Sequence, residues 1–461
     1  MPLLFSKLKD PLSLPERIIL LFLALVPIWF GVLVEVRGAI LQTRRTDFAV
    51  FARAAWAVRS GADVYSITDE KGLHYHYPPL LALLMAPLAD PPPGVPRTAS
   101  LPFAASVGLW YLFSVFVAFQ SVHTLANALT DTSRPLATAI GPRWSRGWWM
   151  LRIIPLLVCL PYLGHALVIG QVNVLWMALT CWMAAALLRG RSFRAGFWLS
   201  AAICLKVIPA FLILFPLWKR DGRFLGGAMS GLIIGLVIIP VAFLGADRAW
   251  QTGQRWTEVM LLPAMGIGDN HTRDEELLGT WSTHNQAFAQ ILHKTIHIQS
   301  DPRPERISPW VQVSGLLLGV ILTALTLLAY GTRPSGKPID DVLCLCALCV
   351  NMLSLSPAGH PHYLLLLVPL VMALLARSWE FTAFVWAGPR LFVYLILGPI
   401  ASAAPLIVQN EGICYDLGFP MLSALLFWSA ACFEIRKSRL SAHGGNSITA
   451  LTDPVAQASA A

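Results

Sequence analysis

Residues 195–218 read AGFWLSAAICLKVIPAFLILFPLW, an apolar run long enough to cross a bilayer once, yet basic at both ends. Arg189, Arg191 and Arg194 precede it, and Lys219, Arg220 and Arg223 follow it. Short loops rich in Lys and Arg stay on the cytoplasmic side, so both flanks lie on one side, which a single crossing cannot achieve. Lys206 and Pro209 interrupt the run. The spacing therefore predicts two segments of about 12 residues meeting at a turn, each about 18 Å long and too short to span upright. Lys206 is thereby placed inside the membrane or near its outer face.

The rest of the chain agrees with a bilayer as solvent. Of 461 residues, 56% are hydrophobic and only 13% are charged, and the mean hydropathy is +0.62. That composition excludes an ordinary water-soluble domain. The net charge of +9 sits in short loops between apolar runs, which is positive-inside patterning rather than a nucleic-acid footprint. IILLFLALVPIWFGVLV, residues 18–34, follows Lys7, Lys9 and Arg17 without a small-residue cleavage site and reads as an uncleaved signal anchor. The eight cysteines mostly lie in apolar runs; Cys344, Cys346 and Cys349 share one without paired zinc spacing and read as packing residues, and only Cys414 is loop-adjacent.

Further spans fall near 18–36, 101–122, 150–168, 172–188, 224–244, 308–329, 341–357, 362–377, 381–407 and 413–433. With the broken segment the expectation is an all-α integral membrane protein of about 12 segments, one membrane domain over 1–440, both termini cytoplasmic. Residues 441–461 are small and polar and read as a disordered tail. The long loops, 37–100 and 245–306, face the outside, together with the GQVN turn at 170–173 and GHPH at 359–362.

In the first outer loop, Asp47 precedes Phe48, Phe51, Ala55 and Val58, which recur at helical steps until Gly61. This reads as an amphipathic helix on the membrane surface, with Asp47 as its N-cap, as a chemical group, or as both. Tyr77-Pro78-Pro79 forces an extended entry into a second short apolar helix, and the pair can form a platform where a long lipid enters and its headgroup stays wet.

Six motifs in matching order, TDFAVFARAAWAVRSGADVY, HYPPLLALLMAPLA, GQVNVLWMAL, LKVIPAFLILFPLWKR, HNQAF and SLSPAGHPHYLLLLVPL, resemble glycosyltransferase family 87, integral-membrane enzymes of the GT-C superfamily. The resemblance spans roughly residues 15–435. It implies a GT-C fold and transfer of a hexose, mannose foremost, from a polyprenyl-phosphate carrier to a lipid or glycan acceptor on the outer face of the cell membrane. It implies Asp47 as catalytic base and matches Lys206 to the family lysine before the internal proline. His362 falls on the first histidine of the family's last motif, while His360 stands for its tryptophan and Tyr363 for its second histidine.

The chemistry supports these roles. A polyprenyl monophosphate is a good leaving group, so transfer needs a base for the acceptor hydroxyl and cations for the departing charge, with no cofactor and no metal called for. A lysine inside a membrane segment costs about 2.5 kcal/mol or more and usually marks function, snorkelling being its alternative. Arg44 and Arg45 reach either the donor phosphate or ordinary lipid phosphates, and His362 is a further phosphate ligand or a structural loop residue. Tyr77, Gln171, Asn173, His284, Asn285, Gln286 and His360 are assigned to the sugar or acceptor, with helix capping the alternative for the amides. The expected partners are the donor, the acceptor and membrane lipids, not nucleic acid. A transporter or flippase would show the same hydropathy, but repeated halves and a matching second broken segment are not visible.

Overall fold

The computed structural model describes residues 7–41, 46–98, 100–264, 267, 284–300, 302–380, 389–408 and 411–451, and among these it is helical, with two isolated β-bridges and no strand. Among the described residues, seven helices are long and apolar enough to cross a membrane: Leu14–Ile40 (α1), Phe103–Thr132, Gly222–Leu244, Pro309–Tyr330, Pro338–Leu355, Pro361–Trp379 and Phe419–Ala442. Arg146–Val158 and Leu160–Val168 form a pair bent by 67°, and four shorter apolar helices cover Asn173–Leu188, Ser192–Leu205, Ile208–Lys219 and Tyr394–Ile407. The expected segments overlap these helices and the bent pair; of the one expected over 381–407, residues 381–388 lie outside the described ones. The last helix continues to Leu451, so the tail expected from residue 441 begins inside a helix; residues 452–461 lie outside the described ones.

Within hydrocarbon, helix association is driven by packing and polar contacts rather than by the hydrophobic effect. Pro338–Leu355 and Pro361–Trp379 form the buried centre, with Asn173–Leu188 against them, whereas α1 turns most of its apolar surface outward. At the basic end, Arg377 ties the centre to Glu380 at 3.1 Å, and Lys219 reaches Asp341 at 2.5 Å.

The interrupted run breaks at Lys206. Ser192–Leu205 (α2) ends there, the lysine backbone is extended (φ −158°, ψ 121°), and Ile208–Lys219 (α3) begins as a 3-10 turn behind Pro209. α2 is gripped by Gly222–Leu244 (α4), whose Gly227, Gly231 and Gly235 recur every fourth residue on one face. A Cβ at Gly227 would lie 2.0 Å from the Phe193 carbonyl oxygen, and one at Gly196 would lie 1.9 Å from that of Phe224. The two backbones touch at the start of α2, and the seam runs on through Gly231 against Ser200 to Gly235, where a Cβ would lie 2.5 Å from Cys204 Sγ, two residues before Lys206.

The first long loop, residues 37–100, departs from expectation. Asp47–Ser60 (α5) is not a helix with one face on lipid: Phe48, Phe51, Ala52, Ala54, Ala55 and even Arg53 are buried. Its alanines let neighbouring segments close over it, and Arg53 is held 3.6 Å from Asp90 and 3.9 Å from Glu70. Pro79–Leu84, the second expected surface helix, is equally covered. From the second outer loop, Arg248 donates to the carbonyls of Ala57 and Val58 at the end of α5, at 3.2 and 3.0 Å. The two large loops therefore form one packed layer.

Gly227→Leu is expected to cost roughly 3 kcal/mol or more by overpacking, read as loss of monodisperse protein in detergent or a fall in melting temperature. The neighbouring Gly226, which faces open space, is the control: Gly226→Leu should leave both measures unchanged.

Candidate active site

The turn after the bent pair is the anchor of the site. Ile169 accepts from the backbone N–H of both Asp47 and Phe48, at 2.8 and 3.3 Å, which satisfies two of the free donors at the start of α5. Gly170 follows with φ +67°, and a Cβ there would press 2.7 Å from that of Phe48; its carbonyl accepts from the Trp110 indole at 2.8 Å. The expected N-cap role passes to Thr46, the residue before the helix, while Asp47 is its first helical residue. The Asp47 carboxylate is thereby turned away from its own helix and accepts a short hydrogen bond from the Gln171 amide. Tyr77 reaches the other end of that amide, its hydroxyl 3.5 Å from Gln171 Oε1.

Two residues on, Asn173 opens the next helix and its Oδ1 accepts from Lys206 Nζ at 3.3 Å. One turn thus carries the partners of both the acid and the lysine. The ammonium is otherwise surrounded by rings, 3.7 Å from the centroid of Tyr363, 5.2 Å from Tyr77 and 5.6 Å from Trp176. Such cation–π contacts stabilise a desolvated cation without neutralising it. Lys206 is buried, not snorkelling to the surface.

Asp47 feels this environment. Burial pushes its carboxyl above the ordinary aspartate range, the Gln171 hydrogen bond and the charge of Lys206 pull it back, Asp69 adds to the rise and His76 opposes it. The Tyr77 phenol is pushed well up by burial and by Asp47, so it stays a hydroxyl.

Histidines close the opposite wall. His360 and His362 stack at 5.3 Å with 8° between rings, and His165 stacks on the other face of His362 at 5.3 Å and 11°. His362 is buried with both ring nitrogens lacking a hydrogen-bond partner among the described residues, and the amide nitrogen of Asn173 is in the same state. Buried polar groups are seldom left so except where something else binds.

The site brings together Asp47, Tyr77, Gln171, Asn173, Lys206, His360 and His362. Asn285 has its amide engaged with the backbone, donating to Pro357 O at 2.8 Å and accepting from Gly359 N at 2.9 Å and Ala287 N at 3.0 Å. Gln286 donates to Tyr415 O at 3.0 Å. Both brace the 356–362 loop that carries the histidines. His284 is exposed beside Tyr415, and Arg44 and Arg45 lie outside the described residues. His165, Trp176 and Asp69 are site residues to which the sequence reading gave no role there, and Tyr363 entered it only as a departure from the family pattern. A single histidine in an apolar helix has no distinguishing pattern, although its place six residues before Gln171 was a signal.

One turn thus holds a carboxylate and a caged lysine at a break in a polytopic helical bundle. The family comparison makes this specific: residues 75–357 match the model of glycosyltransferase family 87, and the chain belongs to that family. It is similar to the polyprenol-phosphate-mannose-dependent alpha-(1-2)-phosphatidylinositol mannoside mannosyltransferases of Mycolicibacterium smegmatis, 26% identical over 76% of this chain and 75% of the relative, and of Mycobacterium tuberculosis, 24% identical over 73% and 71%. No solved structure matches the chain. The protein is therefore a membrane glycosyltransferase, and the transporter alternative falls.

If Asp47 must be ionised to act, activity falls on the acid side with an apparent pKa above that of an ordinary aspartate. Gln171→Leu removes a hydrogen bond that lowers that pKa, so its acid limb should move to higher pH. A pH–kcat/KM profile of the two proteins checks the direction of the shift.

Proposed function

We propose that this protein moves a hexose, mannose foremost, from a polyprenyl-phosphate carrier to a lipid or glycan acceptor on the extracytoplasmic face of the cell membrane, inverting the anomeric centre. The names of its relatives support this donor, and they point to a phosphatidylinositol mannoside as the first acceptor to try. The observation that carries the reading is the pairing of Asp47 with Lys206 through Gln171 and Asn173 of one turn. We count the seven long helices, the bent pair and the four shorter helices as membrane segments, α2 and α3 being the two halves that meet at Lys206, which gives the twelve segments of a GT-C architecture.

In this mechanism Asp47 takes the acceptor proton as the new glycosidic bond forms on the face opposite the phosphate. Gln171 donates to the carboxylate, and the Ile169 carbonyl accepts from the Asp47 backbone N–H, so side chain and backbone are both held. Lys206 meets the charge that gathers on the phosphate as the anomeric C–O bond breaks, and His362, with its unpaired ring nitrogens, shares that load. Tyr77, His360 and the Asn173 amide face the sugar or acceptor; Arg44 and Arg45 serve the donor phosphate from the loop before Asp47. Asn285, Gln286 and His284 support this wall, with sugar contact from the exposed His284. The phosphate leaves as an anion without a nucleotide diphosphate to bridge, so the scheme needs no divalent ion.

Membranes containing the protein, given radiolabelled polyprenyl-phosphate mannose, should yield a labelled glycolipid. Purified Asp47→Asn should bind donor and lose about 100-fold or more in kcat; turnover at the wild-type rate would overturn the assignment. Lys206→Met, which keeps the bulk among the three rings, should lose about 100- to 1,000-fold in kcat. Transfer should continue in excess EDTA, and a strict requirement for added magnesium or manganese would overturn the metal-free scheme.

A further inference from the structure

A second charged site lies at the other end of α1. The N-terminal strap is joined to the 140–147 loop by backbone hydrogen bonds: Arg146 N donates to Asp10 O at 2.9 Å, Gly147 N donates to Leu8 O at 2.7 Å, and Pro11 bridges Ser145. Leu8 is fully buried, and Gly141, at φ +84°, lets the Lys9 backbone approach so closely that a Cβ there would be 2.8 Å away. Between strap and loop is a cavity of about 370 Å³, lined by Lys9, Arg17, Arg143, Ser145, Trp144 and Trp149 among others, with no carboxylate in its wall.

The nearby acids are already occupied. Glu16 takes Arg146 at 2.6 Å, and Asp10 lies 3.7 Å from the same guanidinium. Among the described residues, Lys9, Arg17 and Arg143 are in no ion pair. Three cations therefore face one walled space.

A second, independent feature is the backbone of Trp144. It sits in the left-handed region at φ 71°, which is costly for a bulky residue and persists only where the surroundings impose it. The outcome is an indole half out of the protein, 52% exposed, with the Arg143 guanidinium 4.7 Å above its ring and Trp149 at 5.4 Å. Tryptophan and arginine so displayed suit the headgroup level of a bilayer. From the cavity, Ile18, Leu21, Phe22 and Leu25 run up α1 as exposed apolar side chains, a path for acyl chains.

We propose that this cavity binds the phosphate headgroup of an anionic membrane lipid, in the leaflet opposite the one that Asp47 faces. Arg17 of α1 lines the cavity and Gly38 near its other end packs on Thr46 beside Asp47; at 1.5 Å per residue that stretch separates the two sites by about 30 Å, so the bound lipid is neither donor nor acceptor. It fills the joint that fixes the N-terminal strap to the bundle.

Native mass spectrometry of the purified full-length protein in detergent, titrated with phosphatidylglycerol or phosphatidylcholine, tests this. Phosphatidylglycerol should be retained at least tenfold more tightly, and Lys9→Gln with Arg143→Gln should abolish that preference. Equal retention of the two lipids, or an unchanged preference in the double variant, overturns the proposal. Inorganic phosphate at millimolar concentration should not displace the lipid; if it does so at the lipid's own concentration, the cavity is a site for free anions instead. Trp144→Gly suits the left-handed backbone and should fold at least as well by melting temperature while weakening phosphatidylglycerol several-fold. It keeps the test open should the double variant not fold, and unchanged lipid binding there counts against the site.

Discussion

Hydrocarbon offers no partner to a backbone N–H or C=O, so a membrane protein can interrupt a helix only where protein supplies the missing bonds. In this chain the interruptions gather in one place. α2 stops at Lys206, the bent pair ends in the Ile169–Gln171 turn, and Pro361 starts its helix as a 3-10 turn behind His360. The freed backbone groups find protein partners: Ile169 takes the first donors of α5, and Asn285 takes the 357–359 backbone. The site is the place where the bundle is allowed to be irregular.

That dependence explains why the packing far from the chemistry is so close. The glycine seam between α2 and α4 leaves no room for a methyl group at Gly196 or Gly227. Without a hydrophobic drive between helices, van der Waals contact of this kind is what holds α2 in register. Lys206 then inherits a fixed position, between Asn173 and the ring of Tyr363. Tyr363, which stands where the family pattern resembles a histidine, forms one wall of the lysine's cage. An aromatic face there supports a cation that a second imidazolium would repel.

Much of this was legible in the sequence because charge is rare in it. A lysine in an apolar run, flanked by basic loops on both sides, required a break, and the break is where parity placed it. The acid of the first loop stood out for the same reason. The burial of α5 was not legible: the period of Phe48, Phe51, Ala55 and Val58 is the same whether the other face meets lipid, water or more protein. The roles of Asn285 and Gln286 were hidden too, because an amide that binds sugar and one that braces a loop have the same sequence. The glycine triplet at 227, 231 and 235 was readable and states a close helix contact on its own.

The two ends of α1 put the same elements to different use. At the outer end a carboxylate is placed among a lysine, histidines and amides, and burial keeps the fields of these groups strong. At the basic end, by contrast, the carboxylates are matched to Arg146, Arg377 and Lys219, and Lys9, Arg17 and Arg143 line the cavity beside the N-terminal strap. Pairing makes a joint rigid, while leaving a charge unpaired makes it available. A membrane enzyme that draws its substrates from the bilayer needs both, since the helices must stay fixed while lipids arrive and leave along them. The different pairing of charge at the two ends of the bundle separates the part of the molecule that holds from the part that reacts.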